Sequence, residues 1–185
     1  MKKYFIVLFL FYFLSNTVIA QSRIGAVSVK YSPLNNVKII DKNYYNITLY
    51  TLRGETINNR FFVYLQYTIG SYNATNPISD ELESLYAINA GLGFTLFKGK
   101  RLQFPLSSSF GITNLSLAND DFYRGINFEY KAGARFFITN SLAITASLDF
   151  SHLNFYSLND DALDGNVDFN DGKFRCFWVG LLLAF

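Results

Sequence analysis

Lys30, Glu129, Lys131, Arg135 and Asp149 are the charges whose spacing suggests chemistry between side chains. Glu129, Lys131 and Arg135 occupy positions of one parity in Glu129-Tyr130-Lys131-Ala132-Gly133-Ala134-Arg135-Phe136, so an extended chain presents them on a single face. Opposed charges withdrawn from water must pair with one another, and the expected outcome is a polar network that fills an interior. The only histidine, His152, follows Ser151, which supplies the residue types of a hydrolase nucleophile and base. Adjacent strand residues point to opposite faces, however, and the same-face position two residues on is Asn154. No catalytic residue is assigned on that basis.

Metal chemistry has one candidate, the segment 156–172, with Asp160, Asp161, Asp164, Asp168 and Asp171 interleaved with Asn166 and Asn170. Oxygen-rich side chains suit calcium, but an EF-hand needs Gly at loop position six and Glu at position twelve. Counting from Asp164, those places hold Phe169 and Arg175, so the segment reads as a solvated acidic loop and no metal ligand is assigned. Cys176 is the only cysteine, which excludes an internal disulfide and a cysteine-rich metal site. Gly91-Leu92-Gly93 lies within a strand pattern rather than between strand and helix, so it is no dinucleotide motif. On the inner face these glycines make room for bulky neighbours or curvature. No cofactor is expected.

The elements that must position these groups are strands. In Leu142 to Phe150, apolar Leu142, Ile144, Ala146, Leu148 and Phe150 alternate with Ala143, Thr145, Ser147 and Asp149. A period of two is the signature of a strand with two unlike faces. Read this way, the chain contains strands near 23–32, 44–53, 60–71, 84–97, 102–115, 123–137, 141–155 and 173–185. Most reach the ~9–11 residues that a tilted strand needs to cross a bilayer. Half of the residues are hydrophobic and 18% are aromatic.

Connections alternate short and long. Glu55 to Asn59, Lys98 to Arg101 and Ile138 to Asn140 are short; Ser32 to Asn43, Tyr72 to Ser84, Ser116 to Asp121 and Tyr156 to Gly172 are the longer ones. Outer-membrane barrels have short periplasmic turns and longer external loops. The lipid-facing parity is expected to hold Val27, Val29 and Tyr31; Tyr45, Ile47 and Leu49; Phe61, Val63, Leu65, Tyr67 and Ile69. It continues through Tyr86, Ile88, Ala90, Leu92, Phe94 and Leu96, then Phe104, Leu106, Phe110 and Ile112. The opposite parity holds Ser28, Lys30, Asn46, Thr48, Gln66, Thr68, Asn89, Thr95, Gln103, Ser107, Ser109 and Thr113. A Lys or Arg facing mid-bilayer costs ~2–4 kcal/mol, and the mid-strand charges accordingly fall on the polar parity. Pro33 and Pro77 fit external loops, whereas Pro105 requires a local break in a ladder near the turn rim.

Parity alone does not distinguish a membrane barrel from a soluble lipocalin-like one with its faces exchanged. Both chain ends bear on that choice. Lys2-Lys3, the apolar run Tyr4 to Leu14 and the exit Val18-Ile19-Ala20 have the order of a signal peptide cleaved after Ala20. The division is then a signal peptide over 1–20 and a barrel domain over 21–185. Removing Lys2 and Lys3 leaves 14 basic against 14 acidic residues, with no overall basic bias for nucleic acid. The last strand reads back by twos as Phe185, Leu183, Leu181, Val179 and Phe177.

In these residues the chain resembles the small outer-membrane β-barrels typified by the membrane domain of OmpA and by OmpX, whose closing strand ends in an aromatic preceded by alternate apolar positions. Its richness in Asn, Tyr, Phe and Ile, with turns such as Phe136-Phe137-Ile138-Thr139-Asn140-Ser141-Leu142, looks like the barrel-only proteins of Bacteroidetes-type Gram-negative bacteria. The resemblance implies an all-β, eight-stranded antiparallel up-and-down transmembrane barrel in the cell outer membrane. It further implies contact with outer-membrane lipid and lipopolysaccharide, and assembly by the barrel-assembly machinery through Phe177, Val179, Leu181, Leu183 and Phe185. Arg175 departs from the pattern by sharing the lipid parity, which places it near a rim.

Side chains nearly fill an eight-stranded barrel, so a general diffusion pore is not expected. The leading reading is a non-enzymatic envelope scaffold that displays four external loops in a structural, adhesion or interaction role, with the loop partner unspecified. The alternatives are a lipid-modifying enzyme of the lipid A deacylase or phospholipase type, and a narrow solute channel.

Overall fold

The structure, a computed structural model, describes residues 25–39, 42–45, 47–56, 60–72, 82–99, 101–117, 122–158, 161–162 and 170–185. The segment read as a signal peptide lies outside these residues, as do Asp160, Asp164, Asn166 and Asp168 of the acidic loop.

Long alternating segments become long strands: β1 (Gly25–Ile39), β3 (Ile47–Thr56), β4 (Phe61–Tyr72), β5 (Leu82–Lys98), β6 (Leu102–Leu117), β7 (Phe122–Phe137), β8 (Leu142–Leu158) and β10 (Asn170–Ala184). Two short strands, β2 (Lys42–Tyr45) and β9 (Asp161–Ala162), extend β1 and β8 beyond the ring. Each long strand pairs antiparallel with the next, and β10 pairs with both β8 and β1, so eight strands close into a barrel. Closure satisfies the backbone groups that an open edge would leave unpaired, which hydrocarbon does not tolerate. The seam is completed at the last residue: Gly25 N donates to Phe185 O at 3.1 Å and Phe185 N to Gly25 O at 2.9 Å.

Among the described residues, one parity of each long strand faces outward and is largely apolar, including Val29, Phe61, Leu65, Ile88, Leu92, Phe110, Tyr130, Phe150 and Leu181. Aromatic rings meet across neighbouring strands on this outer surface, with Phe61 and Phe94 at 4.9 Å and Phe110 and Phe128 at 5.1 Å. The other parity lines the interior with Ser28, Gln66, Asn89, Thr113, Asn127 and the charged groups. A polar interior inside an apolar shell inverts the soluble arrangement and decides between the two readings that parity left open.

At the end carrying Gly25, Phe185 and the short turns, the interior is floored by an apolar cluster of Ala26, Phe137, Ala143, Leu182 and Ala184. Pro105 sits near that rim and does break the ladder. The β5–β6 register shifts between Thr95 and Phe97, and β6–β7 pairing skips from Gln103 to Leu106.

Two expectations need correction. The segment Ser32 to Asn43 is largely strand: β1 runs to Ile39, its outer half pairing with β10 from Leu34↔Phe177 to Lys38↔Lys173 and with β2. Pro33 therefore lies not in a loop but at the register shift between Tyr31 and Leu34. A bulge accommodates a residue without an N–H and hides the strand from a reading that stops at proline. The second correction concerns the parity of the second long strand. Leu49 is buried and Tyr50 and Leu52 face outward, opposite to the expectation built on Tyr45, Ile47 and Leu49. Thr51, Arg53 and Glu55 share the parity of Leu49 and all point inward. The cost of turning Arg53 and Glu55 into lipid outweighs whatever Leu49 would gain there.

Candidate functional site

The described polar chemistry concentrates in the barrel interior, in two layers stacked along its axis. In the middle layer, adjacent strands bring together Glu129 and Lys131 on β7 and Asp149 on β8, with Lys131 and Asp149 directly paired in the register. Lys131 Nζ lies 2.6 Å from Glu129 Oε2 and 2.9 Å from Asp149 Oδ2. It also donates to Gln66 Oε1 on β4 at 2.8 Å, and β4 stands across the lumen from β8. Gln66 Nε2 in turn donates to Thr68 Oγ1, which shares a hydrogen bond with Thr51 Oγ1. Ser109 Oγ on β6 donates to Glu129 Oε2 at 3.1 Å. A single ammonium thus has three acceptors, the full capacity of its three protons.

The second layer lies nearer the turn end. Arg135 Nη2 approaches Glu55 Oε1 at 2.6 Å, and Arg53 Nη2 approaches Glu55 Oε2 at 2.7 Å. Arg135 is on β7 and Glu55 on β3, four places apart in a ring of eight, so this pair also crosses the barrel. Both guanidiniums lie against aromatic faces, Arg53 at 3.6 Å from the Tyr64 ring centre and Arg135 at 5.2 Å from that of Phe62. Stacking suits Arg because its planar cation is weakly hydrated. Room for those two rings comes from β5, where a Cβ at Gly91 would collide with Tyr64 and one at Gly93 with Phe62.

Of the five residues singled out in the sequence, Glu129, Lys131 and Asp149 therefore meet directly, whereas Arg135 pairs with Glu55, outside that set. Lys30 is buried beside the second layer; among the described residues no direct ion pair or hydrogen bond joins its ammonium, which Asp149 and Glu55 attract from farther off. The sequence does not single out Arg53 and Glu55, because the expected strand ends at 53 and Glu55 falls in the expected turn. Alternation through Thr51-Leu52-Arg53-Gly54-Glu55 was the available signal. Above the middle layer, Leu49, Leu85, Phe174, Cys176 and Trp178 narrow the interior toward the loop end.

Ser151 and His152 point to opposite sides of β8: Ser151 is buried in the interior and His152 is exposed on the outer surface, as is Asn154. His152 pairs in the register with Phe128 and Lys173, so no serine neighbours it across the sheet. Asp161 lies in β9 and Asp171 in β10, and among the described residues no group of acidic, His and Cys side chains could hold a metal ion.

No protein-family model matches the chain, and no curated protein matches it. Solved structures do. Neisserial surface protein A superposes with a TM-score of 0.68 at 11% identity, over 87% of this chain and 97% of that one. Ail, the attachment invasion locus protein of Yersinia pestis, gives 0.55 at 18% identity, over 89% and 100%. The N-terminal β-barrel domain of Pseudomonas aeruginosa OprF gives 0.52 at 15% identity, over 86% and 97%. These likenesses are to small outer-membrane barrels, and the fold of this chain is that of an eight-stranded outer-membrane β-barrel.

Proposed function

We propose that this protein resides in the bacterial outer membrane and works there as a non-enzymatic scaffold, its barrel a rigid stake that presents the external loops for a structural, adhesive or interaction role. The observation that carries this reading is the pair of struts across the lumen, Arg135 to Glu55 and Lys131 to Gln66. They occupy the axis along which a solute would travel, above an apolar floor. Buried charge pairs of this kind contribute little net stability compared with apolar packing, but they hold opposite walls in one register. A barrel so filled has its free chemistry at its loop end. Ail, named for attachment and invasion, is built on the same fold, which supports the use of this scaffold for display. Phe177, Val179, Leu181, Leu183 and Phe185 serve in this reading as the assembly signal, with lipid and lipopolysaccharide around the outer band.

The test has two parts. Outer-membrane fractions should contain a species that migrates faster on a detergent gel unboiled than boiled. The purified barrel in planar lipid bilayers should show no steady single-channel steps; regular steps of conductance would replace the scaffold with a narrow channel.

A further inference from the structure

The interior of this barrel, among the described residues, is not electrically balanced. Among the described residues, the buried cations are Lys30, Arg53, Lys131 and Arg135, and the buried carboxylates are Glu55, Glu129 and Asp149. The middle layer, with two carboxylates on one ammonium, carries one net negative charge. The layer of Arg53, Glu55 and Arg135 carries one net positive charge, and Lys30 adds a second beside it. The surplus therefore sits on the turn-end side, where a small chamber of about 20 Å³ opens between the two layers. Its lining includes all four cations and no carboxylate.

The same chamber gathers unsatisfied donors. Thr145 and Ser147 line it, and their hydroxyls have no hydrogen-bond partner; neither has Arg53 Nε. All three residues are more than nine-tenths buried. Gly180 faces Lys30 across the β1–β10 seam, and a Cβ there would collide first with backbone, Val29 O and Lys30 Cα, and then at 2.8 Å with Lys30 Cγ, so the glycine lets the two strands approach closely beside the lysine stem. Buried donors without acceptors and a buried cation without a direct ion-pair partner are each costly. One small particle bearing negative charge relieves both costs. The free space admits about one body the size of a water molecule, which excludes phosphate, sulfate and carboxylates.

We propose that this chamber is a binding site for one halide-sized inorganic anion, held between Lys30, Arg53 and Arg135 and capped by the Thr145 and Ser147 hydroxyls. The anion is structural: held between the Arg53–Glu55–Arg135 layer and the Glu129–Lys131–Asp149 layer, it enters as the barrel closes.

Bromide is the probe. The full barrel is unfolded in urea and refolded in detergent with sodium bromide or sodium gluconate at equal ionic strength, and its unfolding is followed by gel mobility. Bromide at about 100 times its dissociation constant should raise the folded-to-unfolded ratio about 100-fold, saturably. Lys30→Met, which removes the cation that has no partner, should abolish the difference between the salts, whereas a general salt effect would persist in it. Thr145→Val and Ser147→Ala keep every charge and should lower the bromide affinity. Crystals grown in bromide should show anomalous density inside the chamber. Equal stability in both salts, an unchanged bromide effect in Lys30→Met, or bromine density confined to the outside would each overturn the assignment.

Discussion

Glu55→Gln is the perturbation that most directly probes the interior. The side chain is 1% exposed and is the single carboxylate between two guanidiniums that are themselves 4% and 6% exposed. At a charge separation of ~4 Å and an effective dielectric of ~20, each pair is worth about 4 kcal/mol of gross attraction. Desolvation and the mutual repulsion of Arg53 and Arg135 cancel much of it, and breaking a buried pair while leaving its partner typically costs ~3–5 kcal/mol. Glutamine preserves shape and can still accept a hydrogen bond, so the expected loss is near the lower end, about 3 kcal/mol. The assay is urea unfolding of the barrel in lipid vesicles, with the folded fraction read from its heat-sensitive gel mobility. A replacement of the whole layer by apolar residues, Arg53→Met with Glu55→Leu and Arg135→Met, should be milder than the single change, because neither guanidinium is then left buried without its carboxylate. If Glu55→Gln cost less than ~1 kcal/mol, the layer would be wet enough for water to replace the carboxylate, and the argument for a dry, filled lumen would fail.

Three further outcomes follow from the same geometry. Ile88→Arg, at an outward position in the middle of β5, should cost ~2–4 kcal/mol in vesicles, while Ile138→Arg at the turn rim should cost ~0–1 kcal/mol; equal costs in urea titrations would mean that the outer band is not in hydrocarbon. Gly93→Ala places a Cβ against the Phe62 ring and should cost about 1–3 kcal/mol, read as a lower urea midpoint, whereas Gly54→Ala, which meets no atom within 4 Å, should cost far less. Phe185→Ser should reduce the amount of folded barrel in outer membranes several-fold while the refolded protein keeps most of its stability in vitro. A parallel loss of both would mean that Phe185 acts by closing the seam with Gly25 rather than as an assembly signal.

Much of this was legible along the chain, for a reason local to strands. Side chains alternate, lipid admits few charges, and so Glu129, Lys131, Arg135 and Asp149 could be placed on the inner parity from their immediate neighbours alone. The same alternation separates Ser151 from His152 with no knowledge of the fold. Reading failed where a local signal misled: Pro33 stands for a loop but occupies a bulge, and the apolar Leu49 stands for the lipid face but lies inside, because Arg53 and Glu55 set the parity of its strand. What neighbours along the chain could not supply is the partner across the lumen. Glu55 and Arg135 are 80 positions apart, on strands separated by half the circumference, and no pattern within either strand announces the other. Only closure of the ring, which fixes the diameter and the stagger of the strands together, decides which charges meet and, among the described residues, leaves Lys30 without an ion-pair partner.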